Sequence, residues 1–195
     1  MKYVFPIVTC LFIYVANTSA TDHAGKFAMK GAGLLPCSVY LTERESESKV
    51  YYLIGGWIEG YMSAYNKHTA DTYDITSFES LELILLLIKN HCKLHPSDRL
   101  HGVLDGVFVK LAPHRTLTEN ELVRVSDKER KTSLYRDTVR RIQLELTRRS
   151  LYKGEVNGRY NDGTKSALIA FQSDIRFDKT GFPDQATLWR LLRKE

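Results

Sequence analysis

The spacing of apolar residues predicts helices along most of the chain. Between residues 50 and 65 apolar side chains recur every three or four positions, which is the period of one helix face. A second helix is predicted to start at a cap formed by Thr76 or Ser77 and to run through Cys92. Pro96 suits the first turn of a third. These helices predict a small N-terminal bundle.

The glycines in the first of these helices have a separate consequence. Gly56 and Gly60 lie four positions apart, so they share one helix face without side chains. We expect another helix to approach closely at this strip. Glu59, which lies between them, is the one acid in an apolar, glycine-flanked setting. It is a candidate general acid, with a hydrogen-bonded or solvated helix residue as the alternative.

The same helical period returns in the last third of the chain. It predicts a helix over residues 137–149, a second from Asp162, and a short third that Asp184 caps. Turns are predicted at Asn157-Gly158 and at Thr180-Gly181, because these residue pairs tolerate positive φ. No internal repeat is visible at the level of sequence.

The domain organisation follows from these patterns and from charge. Residues 116–135 are polar and charge-rich, and we predict a linker with some helix there. The expected fold is all-α, with a helical domain over residues 21–115 and a three-helix domain over residues 136–195. Residues 21–118 carry 10 basic and 11 acidic side chains, whereas residues 119–195 carry 17 and 12. The overall net charge of +5 is mild and does not require a nucleic-acid partner.

The first 20 residues have the pattern of a secretory signal peptide. Lys2 precedes an apolar run from Val4 to Val15, and small residues lead to a cleavage site after Ala20. A retained membrane anchor is the alternative, although a span needs about 20 apolar residues. We therefore expect export to the periplasm, no membrane span in the mature chain, and no nucleic acid as partner.

Export changes what is expected of the cysteines. Cys37 and Cys92 are the two that follow the signal peptide. An even number in an oxidising compartment predicts one disulfide, which would tie the N-terminal segment to the bundle. Two separate buried thiols are the alternative.

Other chemistry is not indicated by the sequence. No GxxxxGK[ST] phosphate loop is present, so nucleotide-driven reactions are not expected. His91 and His95 share a helix face as zinc ligands do, but no Glu lies between them and the neighbouring Cys92 is expected to be oxidised. We predict no cofactor, no metal site and no catalytic residue, and hence a protein that is not an enzyme.

Short motifs in the first half carry a resemblance to a known group of proteins. They are Cys37, Gly56-Trp57-Ile58-Glu59-Gly60-Tyr61 and Cys92-Lys93-Leu94-His95-Pro96. Over residues 31–112 these motifs resemble HdeA-like periplasmic proteins and, more closely, the Rap/Tai immunity proteins against type VI secretion amidases. The resemblance implies a protein partner, such as a wall-cleaving amidase that the chain inhibits. HdeA-like proteins imply a periplasmic chaperone as an alternative.

A longer set of residues spans the three C-terminal helices. It consists of Val139-Arg140-Arg141-Ile142-Gln143, Leu146, Tyr152, Gly154, Val156-Asn157-Gly158, Tyr160, Thr164, Ala167-Leu168, Phe171-Gln172, Thr180-Gly181, Asp184, Thr187 and Leu191-Leu192. In type and spacing this set resembles the peptidoglycan-binding domain of the PG_binding_1 type, over residues 136–193. Asn157 and Asn161 depart from the Asp and Gly that this family often has. The resemblance implies binding of the bacterial wall.

Residues in the turns of this domain are the binding candidates. Aromatic rings suit sugar faces, polar side chains suit amides and carboxylates, and glycine lets a ligand approach the backbone. The candidates are Tyr152, Asn157, Gly158, Tyr160, Asn161, Thr164, Arg176 and Phe182. For each of them a role in a turn or in the core is the alternative.

These inferences combine into one expected function. The chain is expected to be an exported, non-enzymatic protein of the periplasm that is associated with the cell wall. It would bind peptidoglycan through residues 136–195 and a protein through the N-terminal domain. The alternative is a peptidoglycan hydrolase or accessory factor, in which the second domain targets residues 31–112 to the wall.

Overall fold

The computed structural model of the chain describes residues 21–127 and 130–193. The predicted signal peptide at residues 1–20 lies outside the described residues. The described part is mostly helical, which confirms the predicted class. Its helices are α1 (Cys37–Glu45), α2 (Lys49–His68), α3 (Leu81–Leu94), α4 (Leu100–Leu111), α5 (Arg136–Arg148), α6 (Asp162–Asp174) and α7 (Gln185–Leu192), and its strands are β1 (Leu122–Asp127) and β2 (Arg130–Tyr135).

Helices α1 to α4 surround a first apolar core. The helix predicted from the apolar spacing at residues 50–65 is α2, which begins after an N-cap at Ser48. The Ser48 hydroxyl accepts a hydrogen bond from the Tyr51 N–H at 3.1 Å, as an N-cap does. Large side chains from α2, α3 and α4 are fully buried in this core, among them Ile54, Ile58, Ile84, Ile88, Leu104 and Phe108.

The predicted disulfide is present and ties α1 to α3. Cys37 and Cys92 are fully buried, with their Cα atoms 4.9 Å apart. The Tyr40 hydroxyl adds a second link, because it donates to the Leu85 carbonyl at 2.6 Å. Burial raises the pKa of Tyr40 to about 12. The sequence analysis missed α1, since this helix has only nine residues and two buried positions.

Helix α3 begins later than predicted, and the reason is local hydrogen bonding. Its N-cap is Ser80 and not Thr76 or Ser77. The Thr76 N–H donates to Asp74 Oδ1 at 2.9 Å, and the Ser77 N–H donates to Glu79 Oε2 at 3.0 Å. Two carboxylates therefore bind the amides that a helix would have used, and the chain stays in a loop.

Pro96 does not lie in a helix, which is a further correction. Helix α4 begins at Leu100. The turn before it supplies carbonyl acceptors to the first amides of α1: Cys37 N–H donates to Asp98 at 2.8 Å and Ser38 N–H donates to Pro96 at 2.9 Å. Since α1 was not predicted, its need for these acceptors was not predicted either.

The glycines of α2 do not form the expected close contact with another helix. Gly56 and Gly60 are exposed. Apart from their chain neighbours and the nearby backbone of α2, no atom of the described residues lies within 4 Å of where a Cβ would stand on either of them. Gly55 is the buried glycine of this helix, and a Cβ on it would lie 3.6 Å from the Leu81 side chain. Glu59, the candidate acid, is exposed on the same open face.

Residues 116–135, predicted as a linker with some helix, contain an antiparallel hairpin. Strands β1 and β2 pair in register, with Val125 opposite Thr132. Val123 and Val125 alternate with exposed polar residues, and β-branched side chains at alternate positions favour a strand. Leu134 is buried in the second core, so the hairpin packs on the helices that follow. The expectation of helix is wrong, whereas the domain boundaries stay a prediction.

Helices α5 to α7 surround a second apolar core. The helix starts expected at Asp162 and after the Asp184 cap are confirmed, and α5 begins at Arg136, one residue earlier than expected. The core includes Val139, Ile142, Leu146, Leu168, Phe171 and Leu188. One member comes from the first half of the chain: Phe78, in the loop before α3, inserts its ring here.

Buried polar contacts join the two regions beside Phe78. Glu79 and Arg193 form an ion pair in which both side chains are buried. The Arg193 guanidinium lies 4.8 Å from the centre of the Phe78 ring. Thr138 at the start of α5 donates its hydroxyl to the Ser77 carbonyl at 2.7 Å. The loop at residues 77–79 is therefore bound by Thr138 of α5 and by Arg193, which follows α7.

Candidate functional site

A buried glutamine on α5 organises the turn that follows this helix. Gln143 Oε1 accepts the Gly158 N–H at 2.9 Å, and its Nε2 donates to the Arg159 carbonyl at 2.9 Å and to Thr164 Oγ1 at 3.0 Å. Gln143 is fully buried, so these bonds replace the water that its amide would otherwise bind. Asn161 then caps α6 by accepting the Thr164 N–H at 2.9 Å.

The same arrangement recurs one helix later. Gln172 on α6 accepts the Gly181 N–H at 2.8 Å and donates to the Phe182 carbonyl at 3.1 Å and to Thr187 Oγ1 at 3.2 Å. Asp184 caps α7 by accepting the Thr187 N–H at 2.8 Å. The two units share the order glutamine, glycine, capping residue and threonine. The expectation of no internal repeat is therefore wrong. The repeat was not visible in the sequence, because it consists of only four separated residues in each unit.

Each repeat requires glycine in its turn. Gly158 and Gly181 have φ values of +78° and +63°, in the left-handed region. A Cβ on Gly158 would also lie 2.9 Å from the Arg136 carbonyl oxygen, and one on Gly181 would lie 3.1 Å from that of Lys165. These turns approach the preceding helices too closely for any side chain, which fixes the loops that flank α6.

A shallow groove of about 450 Å³ lies between the loop after α5 and the start of α6. The Tyr152 ring forms part of its floor, and its hydroxyl donates to the Glu155 carbonyl at 2.9 Å. A Cβ on Gly154 would lie 2.6 Å from that hydroxyl oxygen, so the loop passes directly over the ring. The groove is lined by Leu151, Tyr152, Lys153, Gly154, Glu155, Asn161, Gly163, Ser166 and Ala167. We call it the loop groove.

Two of the predicted binding residues, Tyr152 and Asn161, lie together in the loop groove. Tyr152 is mostly buried, whereas Asn161 is exposed and serves as the α6 cap. Gly158 and Thr164 belong to the Gln143 network and are buried. Their predicted contact with a ligand stays a prediction.

The remaining candidates lie outside the loop groove. Phe182 is buried, with the Arg130 guanidinium 4.7 Å from its ring centre. Tyr160 is half-buried and donates its hydroxyl to the Gly181 carbonyl at 2.7 Å, and burial raises its pKa above the usual value. Asn157 accepts the Arg159 N–H within its own turn. Arg176 is exposed in the left-handed conformation after α6.

Sequence reasoning missed several residues that line the loop groove with polar side chains. Lys153, Glu155 and Ser166 are exposed there. The positions of Lys153 and Glu155 beside Gly154 do not single them out in the sequence, because the burial of the Tyr152 ring, which makes this glycine necessary, is seen only in the structure. The groove therefore offers one cation, one anion and hydroxyl and amide groups above an aromatic floor, a mixture that suits an uncharged or zwitterionic polar ligand.

The histidines considered as metal ligands have another contact. His91 Nε2 lies 2.8 Å from Asp98 Oδ2, and the rings of His91 and His95 are 4.7 Å apart. Within residues 21–127 and 130–193, no group of three or more His, Cys, Asp or Glu side chains is placed to hold a metal ion. In the same residues, none of the helices combines the length and hydropathy needed to cross a membrane.

Comparison with known proteins assigns the second region to a family. Residues 135–191 match the model of the PG_binding_1 peptidoglycan-binding domain, and this match spans α5 and α6 and most of α7. The resemblance predicted for residues 136–193 is thus confirmed. No curated protein and no solved structure matches the chain. The resemblance of residues 31–112 to HdeA-like and immunity proteins stays a prediction.

Proposed function

We propose that this chain is an exported, non-enzymatic protein of the cell envelope that binds peptidoglycan through α5 to α7 and a protein partner through α1 to α4. The observation that carries the proposal is the match of residues 135–191 to a peptidoglycan-binding domain. A domain of this kind has its ligand in the periplasm, which is consistent with the signal peptide predicted at residues 1–20 and with a wall-associated location.

The loop groove is the surface that we assign to the wall polymer. Its floor is set by the Gln143 network and by the Tyr152 ring, so little ordering is needed when a ligand binds. Lys153 can bind a stem-peptide carboxylate, while Ser166 and Asn161 can bind amide and hydroxyl groups of the sugars. One such shallow site binds weakly, but the wall presents many copies of its ligand.

A binding role is favoured over hydrolysis by the position of Glu59. A general acid needs a raised pKa, and apolar burial is the usual way to raise it. Glu59 is instead exposed on the open face of α2. As the general acid of a hydrolase, Glu59 would act in water, without the apolar surroundings that the sequence pattern indicates.

The exposed start of α2 supports a protein partner. Tyr52 is 65% exposed and Leu53 is 70% exposed, and Val50 lies on the same turn. Clustered exposed apolar side chains on a soluble protein are typical of interaction sites. We propose that the partner is a wall-cleaving amidase, which the chain inhibits, as the resemblance of residues 31–112 implies.

Sedimentation of the whole chain with purified sacculi tests the wall-binding proposal. Ser166→Phe fills the loop groove and is expected to leave the protein in the supernatant. Ser63→Phe makes the same change at an exposed serine of α2 and should sediment like the wild type. If the wild type does not sediment, or if Ser166→Phe sediments fully, the assignment is wrong. Release of soluble fragments from the sacculi would favour the hydrolase.

The partner proposal has its own assay. A type VI secretion amidase is mixed with sacculi, with and without the chain, and the release of stem peptides is followed. We expect the chain to slow the release and Leu53→Glu to abolish this effect. Val109→Glu, at a position 73% exposed on α4, should inhibit like the wild type. Protection of unrelated proteins from aggregation at low pH, without inhibition, would favour the chaperone.

A further inference from the structure

The two glutamine repeats differ in length. Gln143 and Gly158 are 15 residues apart, whereas Gln172 and Gly181 are nine apart. Both glutamines nevertheless bind their glycine N–H and a threonine hydroxyl in the same way. A connection of nine residues is thus long enough to hold such a turn, and the first repeat is six residues longer than this. The additional residues extend α5 and form the loop that crosses the Tyr152 ring.

This loop is attached to the second core. The Tyr152 ring is mostly buried, and its hydroxyl donates to the Glu155 carbonyl at 2.9 Å and accepts from Gln143 Nε2 at 3.4 Å. The same Glu155 carbonyl accepts the Asn157 N–H at 3.0 Å. The backbone that presents the side chains of the loop is therefore preformed, which lowers the cost of binding a ligand.

The loop presents two opposite charges to the loop groove. Lys153 and Glu155 line the groove on either side of Gly154, and both are exposed. Their Cα atoms can be at most about 7 Å apart, because only one residue separates them, so both side chains can reach one ligand group. Neither forms an ion pair with another described residue, and Glu155 Oε2 accepts a hydrogen bond from the Asn157 side chain at 3.1 Å. The Lys153 ammonium and Glu155 Oε1 remain to bind a ligand.

The charges of the loop groove balance each other. Arg159, Asp162 and Lys165 are close to the lining residues in sequence but do not belong to the lining. A ligand that carries only a carboxylate would bring a like charge close to Glu155, and one that carries only an ammonium would do the same at Lys153. A ligand with both charges on one carbon can pair with both side chains.

We propose that the loop groove selects stem peptides that are not cross-linked, by binding an ammonium and a carboxylate on the same carbon. The side chain of diaminopimelate, a diamino acid of stem peptides, ends in such a group. Lys153 pairs with its carboxylate and Glu155 pairs with its ammonium. Cross-linking converts this amine into an amide, which removes its charge and leaves Glu155 without a partner. The inference rests on the proposed function, since it names the part of the wall polymer that the loop groove takes.

Chemical forms of one muropeptide test the choice of ligand. The chain, labelled with ¹⁵N, is titrated with a disaccharide-tetrapeptide monomer that contains diaminopimelate, and the amide shifts of Gly154, Gly163 and Ser166 are followed. We expect saturable shifts. Acetylation of the free diaminopimelate amine should weaken binding by about five-fold, which corresponds to about 1 kcal/mol, the upper range for an exposed ion pair. Amidation of the carboxylate beside this amine should have an effect of similar size.

Two uncharged variants assign the roles of the side chains. Glu155→Gln should bind the free-amine and acetylated monomers equally and still prefer the free carboxylate to its amide. Lys153→Gln should show the reverse. Both positions are exposed, and a glutamine at 155 can still accept the bond from Asn157, so the loop is kept. Asp178→Asn and Lys179→Gln remove matched exposed charges from the connection of the second repeat and should bind like the wild type.

The outcomes separate this inference from the proposed function. If the chain sediments with sacculi but binds the free-amine and acetylated monomers equally, the selection is wrong and the proposed function stands. A preference for the free amine that Glu155→Gln leaves intact also overturns the inference. If the monomer shifts only residues outside the loop groove, the inference and the assignment of the groove both fail. If neither sacculi nor the monomer binds, the proposed function fails as well.

Discussion

The two regions of the molecule are stabilised in different ways. In α1 to α4 the buried side chains are almost all apolar, and the Cys37–Cys92 disulfide adds a covalent link. In α5 to α7 two buried glutamines, Gln143 and Gln172, each hold a glycine turn and a helix cap. The first region is stabilised by the packing of apolar side chains and by a disulfide, whereas the second is stabilised by hydrogen bonds of defined geometry.

This difference explains why one region is recognisable and the other is not. A buried amide that satisfies three partners cannot be replaced by another residue type without leaving polar groups unpaired. Glycine at positive φ and an Asn or Asp cap are equally restricted. An apolar core accepts many combinations of Leu, Ile, Val and Phe of similar volume. The matched segment, residues 135–191, is the region whose residue identities are fixed by hydrogen bonding.

The largest expected effect breaks the contact between the regions. Glu79→Ala leaves the buried Arg193 guanidinium without its partner, and such a loss costs about 3–5 kcal/mol of unfolding free energy. Chemical denaturation of single-tryptophan variants measures each region, because Trp57 lies on α2 and Trp189 on α7. Both transitions should shift.

A double variant controls for the buried charge. Glu79→Leu with Arg193→Met replaces the ion pair by apolar side chains. It should recover the part of the stability that is lost to the unpaired guanidinium, but not the part that is lost with the Glu79 acceptor of the Ser77 and Phe78 N–H groups. If the double variant is as unstable as Glu79→Ala, the loss does not come from the unpaired guanidinium. If only the Trp189 transition shifts, the ion pair does not couple the two regions.

Removing the disulfide should affect the regions unequally. The disulfide joins residues 55 positions apart. A bond that closes a loop of this size stabilises the folded state by about 2–4 kcal/mol. We expect Cys37→Ala with Cys92→Ala to lower the denaturation midpoint reported by Trp57 much more than the one reported by Trp189. Wild-type protein treated with reductant under denaturing conditions is the control. Equal shifts of the two midpoints would contradict the prediction that the disulfide stabilises mainly the first region.

The glutamines should show the opposite pattern. Gln143→Ala and Gln172→Ala each leave a buried glycine N–H without its acceptor, at a cost of about 1–3 kcal/mol. The Trp189 transition should move and the Trp57 transition should move less. Leu144→Ala, on the exposed side of α5, should change stability by about 0.5 kcal/mol or less. If the two glutamine variants differ greatly from each other, the two repeats are not equivalent.

Much of the helical structure was predictable because its signals are local. The period of α2 lies within the element itself, and Asn161 and Asp184 bind amides only three residues ahead. The start of α3 was not predictable in this way. Its loop depends on Glu79, which Arg193 holds from 114 residues away, and on Gln185, which is 107 residues from Phe78. No local pattern contains these partners.

The candidate site shows the same limit. Tyr152 and Phe182 were chosen as aromatic residues in turns, where burial is not expected. Tyr152 is covered because Gly154 lets the chain cross its ring, and Phe182 is covered by Arg130 from β2. Because the hairpin was not predicted, the contact of Arg130 with the Phe182 ring could not be predicted either. Residues of the loop groove such as Ser166 become candidates only once α6 is placed beside the loop.

The smallest expected effect is a pH dependence at the junction. Partial burial, with the nearby Arg193 and Arg141 charges, lowers the pKa of His114 below its usual value, while Glu79 acts in the opposite direction. As the pH falls through about 6.5, the unfolded chain takes up a proton at His114 before the folded chain does. More protons are then bound in the unfolded state, so stability decreases as the pH falls.

His114→Gln should therefore reduce the loss of stability between pH 7.5 and pH 5.5. We expect a difference on the order of a few tenths of a kcal/mol, since the side chain is largely exposed and its interactions are screened. Urea denaturation at the two pH values measures it, and at pH 7.5 the variant should match the wild type. An unchanged pH dependence would mean that the cations at the junction do not act on His114. The coupling between the regions would then rest on their other contacts, such as the ion pair, Gln185 and the Thr138 hydroxyl.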